Sequence, residues 1–286
     1  METVNVLGGN GFVGSEFCKT TKLSVIKNTR NDYQIHDKNV VYFISTVHNY
    51  NLLESSVIDI ETNLITLMRV LDNYKKYPGE GCFNFISSWF VYGQDSGYGL
   101  GAKGIKETDT CDPRGFYSIT KRCAEQLLIS YCDTFNIQYR ILRLANVLGA
   151  NDHKVSAKKN ALQFMINQLK LNNPIELYDS GKFYRDYMDV RDCTRAIDMV
   201  IRSGDMNCIY NIGNGIPQEF NQLIQYCKIT LQSTSKISSI EQKDFHKKVQ
   251  SSRSFFMNTD KLKLLGYRPE YSIFDTLDEI VESSLT

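Results

Sequence analysis

The chain has 286 residues, with 42% hydrophobic and 23% charged side chains, an ordinary globular composition with ample material for a core. Its 33 basic and 32 acidic residues leave a formal charge of +1, which excludes a polyanion binder driven by bulk charge, so nucleic acid is not an expected partner. No apolar run reaches the roughly eighteen residues that a membrane span needs, so no membrane partner is expected.

The N-terminal METVNVLGGNGFVGS lacks the basic start of a leader and reads as a first strand, Thr3–Leu7, that ends in glycines. VVYFIST (40–46) is a continuous apolar run, as in a strand covered on both faces. From Leu52 to Tyr74 the apolar residues Val57, Ile60, Leu64, Leu67, Met68 and Leu71 follow a helical period. Phe83–Ser88 reads as a strand, Phe116–Tyr131 as a helix and Tyr139–Leu144 as a strand. Strands alternating with helices predict a parallel sheet with crossover helices.

Beyond Asn146 the pattern loosens. Helices are expected over Ala161–Leu171 and Phe220–Leu231, and short strands over Asp186–Val190 and Cys208–Ile212. The stretch from Ser233 to Ser254 is the least regular. The expected fold is α/β: a Rossmann-like, doubly wound parallel sheet over 1–150 and a smaller substrate-binding lobe over 151–286. Segments near 185–215 are expected to return to the sheet.

The eight cysteines include no C-x-x-C pair, and several fall in apolar stretches, which suits a reducing cytoplasm. The four histidines are far apart, so a catalytic metal site is not expected.

Two motifs carry chemistry. Gly8, Gly11 and Gly14 stand as G-x-x-G-x-x-G straight after the first strand. Glycine there permits a tight turn, close backbone approach to a pyrophosphate and helix-on-strand packing, with the amides of Gly11, Phe12 and Val13 facing the phosphates. Position 28, where a carboxylate would read the ribose hydroxyls of NAD, is Asn28. The flanking Lys27 and Arg30 suit a 2′-phosphate, so NADP(H) is favoured, with NAD(H) as the alternative.

The second motif is Y-x-x-x-K. Roughly one chance pair is expected in a chain of this composition, and two occur. Tyr178–Lys182 encloses a turn, Asp179-Ser180-Gly181. Tyr117–Lys121 lies in a periodic helix, where residues four apart share a face. A phenol with a pKa of about 10 is a poor acid–base group at neutral pH, and an ammonium one turn away is expected to lower that pKa. Ser87 and Ser88 end a strand at the sheet edge where ligands bind. Alternation aims only one of them at the site.

LGGNGFVGS (7–15), TNLITLMRVLDN (62–73), SSWFVYG (87–93), FYSITK (116–121), RLANVLGAND (143–152), RDYMDVRD (185–192) and YNIGNG (210–215) occur in this order. Together they resemble the extended short-chain dehydrogenase/reductases, specifically the nucleotide-sugar epimerase/dehydratase branch. The resemblance implies Tyr117 as acid/base, Lys121 as its partner and as a ribose contact, and Ser88 as the residue that binds the reacting oxygen. It implies that Gly8, Asn10, Gly11, Phe12, Val13, Gly14, Ser45, Thr46 and Asn63 hold the cofactor, with Arg30 reading its phosphate. Asn146, Arg185 and, more weakly, Arg253 match contacts to the nucleotide diphosphate, and Trp89 would line the sugar pocket. The family's usual homodimer would use the helices near 52–76 and 115–134.

Three departures shape the expectation. The sugar 4,6-dehydratases of this family carry Asp-Glu after the catalytic Ser/Thr. Here Trp89 and Phe90 stand there, and neither shuttles a proton. Only 25 residues (15–39) separate Gly14 from VVYFIST, so one strand–helix unit is expected to be missing. The family's R-P-G-D signature is absent, with Ser251-Ser252-Arg253-Ser254 near its place. The expected activity is reduction of a 4-keto sugar nucleotide by NADPH. A 4-epimerase with bound NAD uses the same residues, and a non-catalytic dinucleotide sensor is the rival from another class.

Overall fold

A computed structural model describes residues 2–77, 80–93, 102–152, 155–156, 158–241 and 254–283. Its centre is a six-stranded, all-parallel sheet of β1 (Thr3–Leu7), β2 (Ser24–Lys27), β3 (Asn39–Tyr42), β4 (Cys82–Ser88), β5 (Tyr139–Leu144) and β9 (Cys208–Ile212), in the order β2-β1-β3-β4-β5-β9. The chain leaves β1 to one side for β2 and returns on the other side as β3. This reversal opens a crevice at the carboxyl ends of β1 and β3.

Alternation along the strands builds two apolar layers. Val4 and Val6 of β1, Val41, Ile86 and Leu142 face α1 (Phe12–Thr20) and α5 (Val190–Ser203), packing with Phe17, Ala196, Ile197 and Val200. Val40, Tyr42, Phe83, Phe85 and Ile141 face the opposite helices, α2 (58–74) and α3 (Phe116–Phe135), packing with Leu67, Leu71, Ala124 and Leu128. A third cluster joins α4 (Ala161–Lys170), β7 (Ile175–Tyr178), α6 (Phe220–Thr230) and α8 (Ile273–Glu282). A five-residue helix, α7 (Asp260–Leu264), precedes α8.

The segment around 185–215 divides. β9 joins the main sheet and α5 packs beneath α1, whereas β8 (Tyr184–Asp189) pairs with β6 (Asn146–Leu148) and β10 (Pro217–Glu219) in a separate three-stranded sheet. β11 (Ile237–Ile240) pairs with β7, giving order to part of the irregular 233–254 stretch.

Several boundaries differ from expectation. β8 runs over Tyr184–Asp189 and not Asp186–Val190, because the Asp189 side chain caps the helix that Val190 opens. α3 continues past Tyr131 to Phe135. Two differences lie near the crevice. β3 ends at Tyr42, because beyond Phe43 the backbone turns from the sheet and Thr46 bonds a side chain, that of Asn63. The helix expected from Leu52 begins at Ile58. Residues Asn51–Leu53 form a separate turn, in which the buried Asn51 amide donates to the His48 carbonyl and to Asp59. Within α2, Glu61–Ile65 forms a π-helical turn before regular helix resumes at Thr66. The missing unit is evident: residues 28–38 hold neither strand nor helix.

Candidate active site

A cavity of about 1400 Å³ runs along the carboxyl ends of β1, β3, β4 and β5 and on to β7 and α4. Gly8, Gly11, Phe12, Val13, Gly14, Ser45, Thr46, Ser88, Trp89, Tyr117, Lys121, Asn146 and Arg185 all line it. Asn10, exposed at the tip of the glycine loop, does not. Nor do Lys27 and Arg30, the latter exposed in a turn. Asn63 lies behind the wall, and Arg253 falls outside the described residues.

At the glycine loop, a Cβ on Gly14 would stand 2.6 Å from the Gly8 carbonyl oxygen, so α1 approaches β1 only because this residue is glycine. Gly11 differs. A Cβ there would meet only the Gly8 carbonyl oxygen, at 3.4 Å, and would otherwise project into open space. The protein's own packing does not require glycine at this exposed N-cap. A dinucleotide's phosphates approaching the helix N-terminus would. The residues present therefore fit such a cofactor.

The carboxylate-reading position is closed. Asn28 is buried, accepts from Asn5, and donates to the carbonyls of Asp32 (3.1 Å) and Gln34 (2.8 Å). Lys27 lies nearer the loop than Arg30: its aliphatic stem crosses Gly9, where a Cβ would meet it at 2.8 Å.

At the end of β4 the two serines separate as alternation requires. Ser87, on the face of Phe83 and Phe85, donates to Glu125 at 2.6 Å. Ser88 accepts from the Phe90 amide at 3.4 Å, and its hydroxyl and that of Ser45 lie near enough to the Tyr117 phenol to act on its pKa. Burial pushes that phenol up to about 12; the two hydroxyls pull it back, and Asp59 adds to the rise. The lowering expected from Lys121 is not found. Its Nζ donates to the Ile86 carbonyl at 2.7 Å and lies 4.4 Å from the centre of the Phe85 ring. Burial also draws Lys121 down to about 7, opposed by Glu125.

The loop after β3 is held from behind. The Asn63 carbonyl oxygen accepts from Ser45 Oγ (3.1 Å) and the Thr46 amide (3.0 Å), while its Nδ2 donates to Thr46 Oγ1 (2.9 Å) and Thr120 Oγ1 (3.0 Å). The π turn carries Asn63, a position at which such turns often serve a site. Asn63 thus supports the cavity wall from outside it.

Beyond β4, Trp89 is buried between Phe90 and Phe255, with ring centroids 4.2 and 4.4 Å away, and Phe90 meets Tyr117 edge-on at 5.6 Å. The Arg185 guanidinium lies over Phe183 (4.8 Å) and Trp89 (5.5 Å). Asn146 donates to the Asp186 carbonyl, tying β6 to β8. The buried Asp186 carboxylate accepts from the amides of Asn214, Gly215 and Met257, yet burial leaves it raised to about 6.

Sequence reasoning missed Glu125, Arg143 and Lys159. Arg143 meets Glu125 through two nitrogens, at 3.0 and 2.8 Å, with both side chains buried. An arginine inside the apolar run YRILRL and a glutamate one turn past Lys121 were the available signals. Lys159 lines the cavity and pairs with Asp152 at 2.7 Å.

A sequence profile of the NAD dependent epimerase/dehydratase family matches residues 4–213, most of the chain, including the carboxyl ends of β1, β3, β4 and β5. The chain belongs to this family. Low-salt glycan biosynthesis protein Agl12 of Haloferax volcanii is 30% identical over 179 residues, which cover 62% of this chain and 54% of that protein. The chain thus spans about half the length of that relative. A putative UDP-glucose 4-epimerase of Methanocaldococcus jannaschii is 24% identical over 242 residues, covering 85% of this chain and 75% of the other. The structure of UDP-glucose 4-epimerase of Thermotoga maritima with UDP-glucose superposes with a TM-score of 0.82 at 22% identity, over 98% of both chains. At that identity the likeness establishes the shared epimerase/dehydratase fold.

Proposed function

We propose that the protein is an NAD(P)-dependent oxidoreductase of nucleotide-activated sugars that reduces a 4-keto sugar nucleotide. The observation that carries this reading is that Ser88, Ser45 and Tyr117 line one cavity, near enough for both hydroxyls to lower the phenol's pKa, together with a glycine-lined helix N-terminus and Arg185. A bound nicotinamide dinucleotide supplies the hydride, with Gly11, Phe12 and Val13 facing its phosphates and Lys121 its ribose. Ser88 binds the reacting carbonyl oxygen, and Tyr117 delivers the proton to it. Burial keeps the Tyr117 phenol protonated at neutral pH, and the Ser88 and Ser45 hydroxyls act in the opposite sense, towards a more readily released proton. Arg185 meets the diphosphate, and Trp89 lines the sugar pocket. Trp89 and Phe90 offer no proton-transfer group for eliminating water, which argues against a 4,6-dehydratase.

NADPH is favoured because Asn28 presents no carboxylate to a ribose hydroxyl and Lys27 crosses the glycine loop. The 4-epimerase is the second reading, favoured by the likeness to the Methanocaldococcus protein. We also propose a homodimer through α2 and α3, which leave Ile58, Ile60, Ile65, Phe116, Ile119 and Leu127 exposed. A cytoplasmic location fits the thiols of Cys82, Cys132, Cys193 and Cys227, which are buried and free; among the described residues no helix is long and apolar enough to cross a membrane.

The test is to purify the protein without added cofactor, denature it and identify any released dinucleotide by chromatography. Retained NAD⁺ selects the epimerase, whose cycle never exchanges its cofactor. An empty protein that takes up NADPH more tightly than NADH selects the reductase. Tyr117→Phe is expected to lower turnover about 10²–10⁴-fold while dinucleotide affinity persists. Unchanged turnover would sink both readings.

A further inference from the structure

Two consecutive residues at the end of β4 are held by α3, and a third faces it. The Ile86 carbonyl accepts from Lys121, the Ser87 hydroxyl donates to Glu125, and the Ser88 hydroxyl lies near enough to Tyr117 to lower the pKa of its phenol. Tyr117, Lys121 and Glu125 stand one turn apart, so a single stripe of α3 meets the strand end. Glu125 is itself anchored from the sheet. Glu125 is fully buried and bound by Arg143 of β5 through both carboxylate oxygens, with Arg122 at 2.8 Å on one of them.

We propose that Glu125, clamped by Arg143, is a positioning residue. Through Ser87 it fixes the end of β4 against α3, and from one helical turn away it holds Lys121 where the ammonium meets the Ile86 carbonyl. The assignment rests on the proposed roles of Tyr117, Ser88 and Lys121. Two physical points carry it. A buried carboxylate held by two guanidinium groups and a hydroxyl has no freedom to wander, so whatever it bonds inherits its position. Burial alone raises the carboxyl, but Arg143, Ser87 and Arg122 outweigh it and keep Glu125 below the ordinary range, so it presents a full negative charge to Lys121. The other charges nearby are committed elsewhere: Arg143 and Arg122 to Glu125, while Asp59 from α2 acts on Tyr117.

The experiment uses full-length protein with ¹⁵N-labelled lysine, the Lys121 signal being assigned by its loss in Lys121→Met. Glu125→Gln keeps an acceptor for Ser87 and removes the charge. It is expected to lower the Lys121 titration midpoint by about one pH unit and to weaken NADPH binding, read by protein fluorescence. Ser87→Ala is expected to speed proton exchange at Lys121 Nζ, and Ser87→Thr to restore the slow rate. A Lys121 midpoint in Glu125→Gln equal to that of the unaltered protein would overturn the assignment. If Glu125→Gln fails to fold, the Ser87 pair decides: equal exchange rates in Ser87→Ala and the unaltered protein overturn it. Both readouts are independent of turnover, so retained activity in Tyr117→Phe would remove the proposed reaction without touching this result.

Discussion

The ends of β4 and β2 lie at the same edge of one sheet and are built in opposite ways. At β4, residues 86 and 87 are tied to a twenty-residue helix, and the tie is backed by a buried ion pair from β5. At β2 no helix follows. Asn28 turns inward to Asn5 and to two carbonyls of the loop it closes, and the neighbouring Arg30 stands in solvent. The edge assigned to proton transfer is over-determined. The edge assigned to telling one dinucleotide from another rests on a short polar knot. Geometry matters most where a proton must arrive within hydrogen-bonding distance.

The comparison is broken most severely by Arg143→Met, which leaves the buried Glu125 without its bidentate partner. A loss of about 3–5 kcal/mol in urea unfolding is expected. A change below 1 kcal/mol would mean that the β4 end is held by packing alone.

Lys121 sharpens the contrast through pH. Its folded pKa, about 7, lies below the ordinary lysine value, so between these two the unfolded chain binds the extra proton. Its contribution to stability therefore rises with pH from about 7 to about 10.5, and it is least favourable below that window. Lys121→Met should flatten this rise relative to the unaltered protein in urea titrations across the window.

Smaller effects belong to the β2 end. Asn28→Ala removes one acceptor and two donors and should cost about 1–3 kcal/mol in thermal or urea unfolding. Lys27→Ala should weaken NADPH binding by about 0.2–1 kcal/mol by calorimetry, more than Arg30→Ala does. The reverse order would restore Arg30 as the phosphate reader.

Much of this was legible in the sequence because it is local. The strands Thr3–Leu7, Tyr139–Leu144 and Cys208–Ile212 have the expected bounds, each being an apolar run with clear ends. Gly14 and Gly11 announce a helix start and an open approach within seven residues of each other. Ser88 could be preferred to Ser87 only by resemblance, and strand alternation supplies the physical reason. What was hidden depends on distant partners. The π turn at Asn63 exists to bond Thr46 and Thr120, which no helical period reveals. Arg143 looks like an intruder in an apolar strand until Glu125, 18 residues away, is placed beside it.

The pairing of β5 with β9 also constrains how the chain is made. Arg140–Leu144 align with Cys208–Ile212, so the outer edge of β5 stays open until more than sixty further residues have been synthesised. At ordinary elongation rates that interval is on the order of ten seconds. Throughout it the nascent sheet presents an apolar strand with unpaired backbone groups, the kind of edge that recruits other chains. Nascent chains arrested before Cys208 should therefore be the most aggregation-prone intermediates of synthesis, and the most dependent on whatever guards the ribosome exit.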